Sequence, residues 1–399
     1  MLGLLALTPE PVRCYDKYMK TLLALIAAVF LSAPVLLAQT GPEAKRVIVF
    51  MKDNTDVSAL KIKFAKHRVI KKYERLNAAL VLVPARQDIS NSSVTLLIEE
   101  DRAIKLTPVP AGVETAVSTQ TRAADDMFGY ADALPWGVMT VNAPAAWQKG
   151  YMGQGVKIAI IDSGITSSNA DLSNRLLESF SFTASAQSPT EHGTQVSGVL
   201  AASLNNTGVV GVAPACSLYN IQTVGDDGIV RLSNLVEAID KAIELDAKLI
   251  NLSLNLKKES LALKYAIYKA YEKGILSICA AGNGGEDTLS YPARYPFVVS
   301  VAAMTIRQKP ARFSNRGEGL SFIAPGADIL TTGPKWNYVV CSGTSFAAPH
   351  VTGLAAIAIN AGAQTPKTIM EKLKQAAHKL PGVEDAYQGF GLINADDIR

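Results

Sequence analysis

Four polar side chains that could carry out acyl transfer lie at the predicted ends of strands and helices. Asp162 follows the apolar run 156–161, which is typical of a strand buried on both faces, so a carboxylate there can be held rigidly. His192 begins a predicted helix rich in small residues. Ser345 also begins a helix, where free backbone N–H groups can face a developing anion. Asn283 follows another apolar run and could offer its amide to an oxyanion.

Each of these residues, taken singly, has an ordinary structural interpretation. Asp162 could cap a turn or helix, His192 could be a surface or core histidine, and Ser345 could be a simple N-cap. Asn283 precedes a glycine, which is a turn signal. The chain order of acid, imidazole and hydroxyl changes the interpretation, because it is one of three orders in which unrelated hydrolases assemble the same triad. Ala347 also replaces the second glycine of a nucleophile elbow, which argues against the α/β-hydrolase order.

The sequence blocks around these residues resemble those of the subtilases, and the likeness extends over residues 43–398. The acid lies in IDSGI at 161–165, the imidazole in HGT at 192–194, and the hydroxyl in SGTSFAAPH at 342–350. Further blocks that resemble the family are GVAP at 211–214, YPA at 291–293, FS at 313–314, APG at 324–326 and GFGLIN at 389–394.

The resemblance implies a serine endopeptidase that hydrolyses polypeptides and needs no catalytic cofactor. Asp162 would orient His192, which would take the proton of Ser345 and later give it to the leaving amine. Asn283 and the backbone N–H of Ser345 would hold the oxyanion. The substrate-binding residues that the resemblance implies are Gly228, Ile229, Val230, Ser253, Leu254, Asn255, Ala281, Gly282 and Ser290.

These residues would form two backbone edges and a pocket. A substrate strand would pair with residues 228–230 on one side and 253–255 on the other. The S1 pocket would lie between 253–255 and 280–283, with Ser290 near its base. Since no acidic residue stands at those wall positions, we expect an uncharged side chain before the scissile bond. The leucines expected to form an apolar S4 pocket are Leu232, Leu235 and Leu254.

The chain departs from the family pattern at several positions. Phe346 follows the nucleophile where many relatives have Met, Asn255 stands where Gly is usual, and Gln195 replaces a common second His. The loop 204–209 resembles a calcium-binding loop that is one residue short. With Asp171, Asn206 in this loop could still offer oxygen ligands to a structural calcium ion.

The elements that must position the triad follow an alternating pattern from about Trp136 onward. Near-continuous apolar runs at 156–161, 249–254, 275–280 and 298–303 are typical of buried strands, and stretches with helical spacing separate them. This alternation predicts a doubly wound α/β fold, mostly parallel, with helices on both faces of the sheet. The carboxyl ends of such strands are where active residues gather.

Residues 43–114 form a separate block of a different pattern. Its apolar segments predict strands over 47–51, 69–75, 78–83 and 103–109 and helices over 57–65 and 94–98. The order β-α-β-β-α-β is that of a small ferredoxin-like α+β domain. By the same resemblance this block is the amino-terminal propeptide, which assists folding and acts as an intramolecular inhibitor.

The remaining amino-terminal segments predict targeting and processing. Residues 1–38 contain a basic flank and an uncharged apolar run, as in a signal peptide, and Met19 would be a tidier start than Met1. The alternative is an uncleaved anchor, which would leave the protein tethered instead of secreted. Small and polar residues at 115–130 indicate a linker with the processing site, and the peptidase domain would occupy 131–399.

Composition and charge bear on which other classes of protein the chain could belong to. The chain is 48% hydrophobic and 19% charged, so it can bury a sizeable core and is not a disordered polymer. A net charge of +4, without a basic stripe interleaved with aromatics, gives no support for nucleic-acid binding. Nothing signals an oligomer, so we expect a monomer. The four cysteines lack metal-like spacing, and a disulfide among the last three stays open.

Two other functions are compatible with these motifs. One is a catalytically silent binding protein that keeps the subtilase fold, although competent residues fill all four catalytic positions. The other is a serine hydrolase of esters, since an acyl-transfer site tolerates them. The extended strand-pairing edges favour peptides.

Overall fold

The structure, a computed structural model, describes residues 44–52, 55, 67–84, 95–106, 132–183, 191–334 and 338–399. The chain divides into two compact units, residues 1–72 with 77–100 and residues 73–76 with 101–399. The predicted signal segment 1–38, the predicted helix 57–65 and the linker 115–130 lie outside the described residues.

The described part of the first unit centres on a four-stranded sheet. Its strands are β1 Ala44–Met51, β2 Arg68–Tyr73, β3 Ala78–Pro84 and β4 Thr95–Glu100. They lie in the order β2-β3-β1-β4, with Val49 opposite both Ala79 and Ile98. This is the strand order expected of a ferredoxin-like domain.

Two predictions for this block are wrong in detail. The segment 94–98, predicted as a helix, lies largely in strand β4, which pairs with β1. A short apolar run such as Leu96–Leu97–Ile98 cannot be assigned by periodicity alone, and the partner strand decides its conformation. Of the predicted strand 103–109, only β5 Ala103–Lys105 is a strand, it belongs to the second unit, and 107–109 lie outside the described residues.

The second unit is built on a seven-stranded sheet in which all neighbouring strands are parallel, a finding that confirms the predicted doubly wound α/β class. Its strands are β6 Lys157–Asp162, β7 Leu176–Ser181, β8 Ser217–Gln222, β10 Leu249–Leu252, β11 Leu276–Ala280, β12 Val299–Met304 and β13 Phe322–Pro325. Their order in space is β13-β12-β11-β10-β6-β8-β7. Strands β6, β10, β11 and β12 coincide with the four predicted apolar runs.

Short strands complete the second unit. They are β9 Ile229–Arg231, β14 Ile329–Thr332, β15 Tyr338–Cys341, β16 Ala377–His378 and β17 Leu392–Ile393. Strand β9 pairs with β5, β14 with β15 and β16 with β17, each antiparallel.

The second unit has helices between and after its strands, and those that begin next to His192 and Ser345 lie where the sequence predicted them. The helices are α1 Trp136–Thr140, α2 Ala143–Gln148, α3 Glu191–Ala201, α4 Leu232–Glu244, α5 Leu261–Glu272, α6 Thr344–Asn360, α7 Pro366–Gln375 and α8 Asp385–Gln388. Helix α6 is buried from Thr344 to Ala358 and contributes Leu354 and Ile357 to the main core. Such a helix, apolar all round, can exist only inside the domain.

The cysteines of the described residues stay reduced. Cys216, Cys279 and Cys341 are free and buried, so the disulfide left open by the sequence does not form. Burial raises the pKa of each thiol, to about 12 for Cys216 and Cys341. Stability therefore comes from the core.

A membrane-spanning helix is not found among the described residues, since none of their helices combines the length and apolar character that a bilayer requires.

Candidate active site

Asp162 and His192 form a hydrogen-bonded pair at the carboxyl end of the central strand β6. The Asp162 side chain is buried, and its Oδ1 lies 2.8 Å from Nδ1 of His192. The same oxygen accepts the backbone N–H of Ser163 at 2.6 Å, which fixes the carboxylate. Since Nδ1 faces the acid, Nε2 is the nitrogen left to act on a substrate.

The turn after β6 packs directly against the start of helix α3, and Gly193 makes this approach feasible. A Cβ at position 193 would lie 2.2 Å from the carbonyl oxygen of Gly164. The backbone N–H of Gly193 donates to the Ser163 hydroxyl at 3.0 Å. The glycine after His192 therefore positions the imidazole against the turn that carries Asp162.

The electrostatic environment of His192 favours its protonated form. Burial lowers the pKa of the imidazole, whereas the charge of Asp162 and its hydrogen bond raise it, and the net pKa lies above the ordinary histidine value. A base of raised pKa accepts a proton readily and is stabilised as imidazolium by the adjacent carboxylate.

Ser345 is the second residue of α6 and is fully buried. Its hydroxyl donates to the carbonyl oxygen of Ser253 at 3.2 Å. Nε2 of His192 makes no hydrogen bond to any described residue. The structure thus brings Asp162 and His192 into contact and leaves the hydroxyl of Ser345 turned toward Ser253.

Asn283 is oriented by Thr344, the residue before the predicted nucleophile. Its Oδ1 accepts both the backbone N–H and the hydroxyl of Thr344, each at 2.8 Å. The Thr344 hydroxyl in turn accepts the N–H of Gly282 at 3.2 Å. Because the oxygen of the amide takes both donors of Thr344, its NH₂ group is turned away from Thr344. Sequence reasoning missed this role of Thr344, although it stands inside the GTS block.

The predicted substrate edge at 228–230 already holds a strand of the chain itself. Ile104 of β5 lies opposite Val230 of β9, and the N–H of Leu106 donates to the carbonyl of Gly228 at 3.1 Å. Lys105 Nζ also donates to the carbonyl of Asp227. This edge is therefore able to bind an extended peptide in antiparallel register.

The other predicted substrate residues follow β10, which neighbours β6, and β11, which neighbours β10. Residues 253–255 come directly after β10, and Ala281 and Gly282 come directly after β11. The N–H of Ser290 donates to Ala281 O at 2.8 Å, and the Ser290 hydroxyl accepts from Asn315 Nδ2 at 3.2 Å. Sequence reasoning missed Asn315, which lies far along the chain from Ser290. The predicted S4 leucines Leu232, Leu235 and Leu254 are all buried.

The two candidate calcium ligands are not arranged as a cation site. Asp171 accepts from Asn205 Nδ2 at 3.1 Å and, at its other oxygen, from Tyr338 Oη at 3.0 Å and Val209 N at 3.2 Å. Asn206 instead gives its backbone N–H to Asp132 at 3.0 Å. Hydrogen-bond donors thus engage both carboxylate oxygens of Asp171, and Asn206 joins the network through its backbone N–H, so these two residues as arranged do not fit a calcium ion. The described residues also contain no cluster of three acidic, histidine or cysteine side chains suited to a metal.

Comparison with known proteins agrees with the residues that resemble subtilases. The model of the subtilase family matches residues 153–391. Subtilisin E of Bacillus subtilis is 39% identical over 272 residues, which are 66% of this chain and 71% of that protein. An alkaline protease of Shouchella clausii is 33% identical over 375 residues, 94% of this chain and 96% of that protein. Subtilisin BL of Lederbergia lenta is 38% identical over 268 residues, 67% of this chain and 98% of that protein.

Proposed function

This chain belongs to the subtilase family and is a serine-type endopeptidase, and we propose that Asp162, His192 and Ser345 are its catalytic triad. The observation that carries the proposal is the 2.8 Å bond between buried Asp162 and Nδ1 of His192. It holds the imidazole in the tautomer whose Nε2 can accept a proton.

The reaction begins when the Ser345 hydroxyl turns from the Ser253 carbonyl toward Nε2 of His192. Catalytic hydrogen bonds of this kind often form only in the complex with substrate. The Ser345 oxygen attacks the scissile carbonyl carbon as its proton passes to His192. The imidazolium then gives that proton to the amide nitrogen, the C–N bond breaks, and water hydrolyses the resulting ester by the same route in reverse.

The negative charge on the tetrahedral intermediate is held by Asn283 Nδ2 and the backbone N–H of Ser345. Thr344 supports this role, because its two donors engage the oxygen of the Asn283 amide. The donor is therefore oriented before the substrate arrives, so little reorganisation accompanies the reaction.

The substrates are extended polypeptides that add a strand to β9. The pairing of β5 with β9 supports this, since it already satisfies the edge in the way a substrate would. Residues 253–255 would form the facing edge, with an S1 pocket beside Ala281, Gly282 and Ser290. We expect an uncharged residue before the scissile bond and an apolar side chain near Leu232, Leu235 and Leu254.

The enzyme is made as a secreted, self-processing precursor in which residues 43–114 act as propeptide and intramolecular inhibitor. Strand β5 supports inhibition because it covers the substrate edge, and Asp101 supports it by accepting the N–H of Ser233 at the start of α4 at 2.9 Å. Residues 1–38 would direct export, and cleavage within 115–130 would release the peptidase domain 131–399.

A processing experiment tests these roles together. The purified wild-type precursor should lose roughly its first 115–130 residues, whereas Ser345→Ala should stay full length. A serine-directed organophosphate should label the wild type alone. A homogeneous Ser345→Ala protein that still matured would overturn the nucleophile assignment. A wild type that neither matures nor reacts would instead favour a silent binding protein.

A further inference from the structure

Helix α6 carries a proline one turn after the predicted nucleophile. Pro349 lies inside the helix and has no backbone N–H, so the carbonyl oxygen of Ser345 lacks its usual helical donor four residues later. Ser345 is fully buried, which makes an unsatisfied carbonyl costly. The carbonyl therefore needs a donor from outside the helix.

Ser253 supplies that donor. Its hydroxyl donates to the Ser345 carbonyl oxygen at 2.8 Å, and its own carbonyl oxygen accepts the Ser345 hydroxyl at 3.2 Å. One residue thus contacts both the backbone carbonyl and the side-chain hydroxyl of Ser345. Since a hydroxyl has a single proton, the Ser253 oxygen can only accept from its other neighbour.

That neighbour is Asn251, at the buried end of β10, and it leads back to α6. Asn251 Nδ2 donates to the Ser253 hydroxyl at 2.9 Å. Its Oδ1 lies 2.8 Å from the hydroxyl of Thr352, which also lies 3.0 Å from the carbonyl of Ala348. Asn251, Ser253 and Thr352 are all buried, so no solvent competes for these groups.

We propose that Thr352, Asn251 and Ser253 form a directional hydrogen-bond relay that positions Ser345 for catalysis, with Thr352 as its terminal positioning residue. In this relay the Thr352 hydroxyl, which also has the Ala348 carbonyl within reach, donates to the Asn251 oxygen, the Asn251 nitrogen donates to the Ser253 hydroxyl, and that hydroxyl donates to the Ser345 carbonyl. The proposal rests on Ser345 being the nucleophile.

The relay matters because it fixes the peptide group after Ser345, while the bond from the Thr344 N–H to Asn283 fixes the residue before it. Both flanks of the nucleophile are thus anchored to residues that follow strands β10 and β11. If the relay is interrupted, Asn251 can rotate its amide and Ser253 can turn away, and the Ser345 hydroxyl and N–H lose their fixed direction. A displacement of about 1 Å at such a site can lower the rate by about a hundredfold.

Thr352→Val tests the relay with nearly unchanged shape. We expect kcat, per active site titrated with a serine-directed organophosphate, to fall about tenfold to a hundredfold, with KM changed much less. Thr352→Ser, which keeps the hydroxyl, should restore kcat. Ser300→Ala is the control for losing a buried hydroxyl elsewhere. Ser300 lies on strand β12, and its hydroxyl donates to the Gly319 carbonyl at 2.8 Å.

A double-mutant cycle makes the test independent of folding defects. Within one relay, Thr352→Val and Ser253→Ala should together cost little more in kcat than the worse single change. Thermal unfolding of each variant measures the structural contribution separately. If Thr352→Val lowers only the melting temperature and leaves kcat per active site unchanged, the positioning role is wrong. Activity that survives Ser345→Ala would instead show that the proposed triad itself is wrong.

Discussion

The ring of Phe346 lies 5.7 Å from the imidazole of His192, tilted by 56°. Phe346 is buried and packs with Val339 and Cys341, so it forms an apolar wall beside the predicted base. The position directly after the nucleophile is thus filled by a side chain that peroxide does not readily oxidise.

This wall predicts resistance of the activity to peroxide. Wild-type enzyme should keep its activity in dilute hydrogen peroxide, whereas Phe346→Met should lose activity with time, as a thioether beside His192 becomes a polar sulfoxide. Residual peptidase activity measures the effect, and mass spectrometry locates the added oxygen. Cys341 should stay unmodified, because burial raises its pKa to about 12. Equal inactivation of both proteins would contradict this prediction.

Asp162→Asn should lower kcat/KM by about 10⁴-fold, the loss associated with removing the acid of a serine triad. It should also shift the acid limb of the pH profile. His192 must be neutral to act as a base, so activity falls as pH drops through its pKa, which Asp162 raises. The variant should therefore keep its residual activity to lower pH than the wild type.

The matched control for this change is Asp397→Asn. Asp397 forms an exposed pair with His378 at 2.8 Å, the same chemistry away from the site. Its pH profile should coincide with that of the wild type. An unshifted acid limb in Asp162→Asn would mean that another group sets the profile.

Asn283→Ala should reduce kcat by about 10²–10³-fold with little change in KM, because the donor acts on charge that exists only in the transition state. Steady-state kinetics on a peptide substrate measures this split. Asn360→Ala, at the far end of α6, is the control, since Asn360 accepts the N–H of Gly153 at 2.7 Å and donates to the Gln154 carbonyl at 2.9 Å, away from the active site. A rise in KM at constant kcat would instead show that Asn283 binds the substrate and the transition state equally well.

The β9 edge predicts how a peptide inhibitor should respond to N-methylation. Leu106 N–H donates to Gly228 O and Leu232 N–H donates to Arg102 O, both at 3.1 Å, so alternate residues of the bound strand face β9. A capped peptide with the sequence of residues 102–106 should inhibit the mature enzyme competitively. N-methylation at its Ile or Leu should raise Ki by roughly 2- to 10-fold or more, as one hydrogen bond is lost.

The same peptide contains its own control. N-methylation at the residue matching Ala103, whose N–H points away from β9, should leave Ki nearly unchanged, and Lys105 is left unmethylated because its N–H would face the proposed edge 253–255. Equal sensitivity at the Ala, Ile and Leu positions would show that the peptide does not bind in this register.

The hydrogen bonds around Asp171 predict a fold that does not depend on calcium. The melting temperature should be the same with EDTA or with calcium chloride. Tyr338→Phe should lower the free energy of unfolding by about 1.5–3 kcal/mol, because a buried carboxylate loses a donor. Tyr151→Phe is the control, since its hydroxyl makes no hydrogen bond within the described residues. A large loss of stability in EDTA would overturn this interpretation.

The sequence predicted the parts of the fold that depend on local pattern. Runs such as 156–161 are almost continuously apolar, which is typical of a strand buried on both faces, and the triad candidates were found because they end or begin such elements. Strand β4 was misassigned because its conformation depends on pairing with β1, which lies far away in the chain.

Contacts between distant polar residues could not be predicted in the same way. Nothing local connects Tyr338 with Asp171, or Thr352 with Asn251, and both pairs arise only when the sheet is assembled. Thr352 in particular stands in an apolar helix, where its hydroxyl carries no sequence signal. The partners of buried hydroxyls are set by tertiary packing.

The close approach of position 193 to the Gly164 carbonyl couples the position of the loop after β6 to that of the start of helix α3. Any side chain introduced at 193 would push the loop after β6 and carry the carboxylate away from the imidazole, so a change far from the nucleophile would reach it through geometry alone. Laboratory diversification of this enzyme can vary the walls that touch substrate, but it must leave these two glycines untouched.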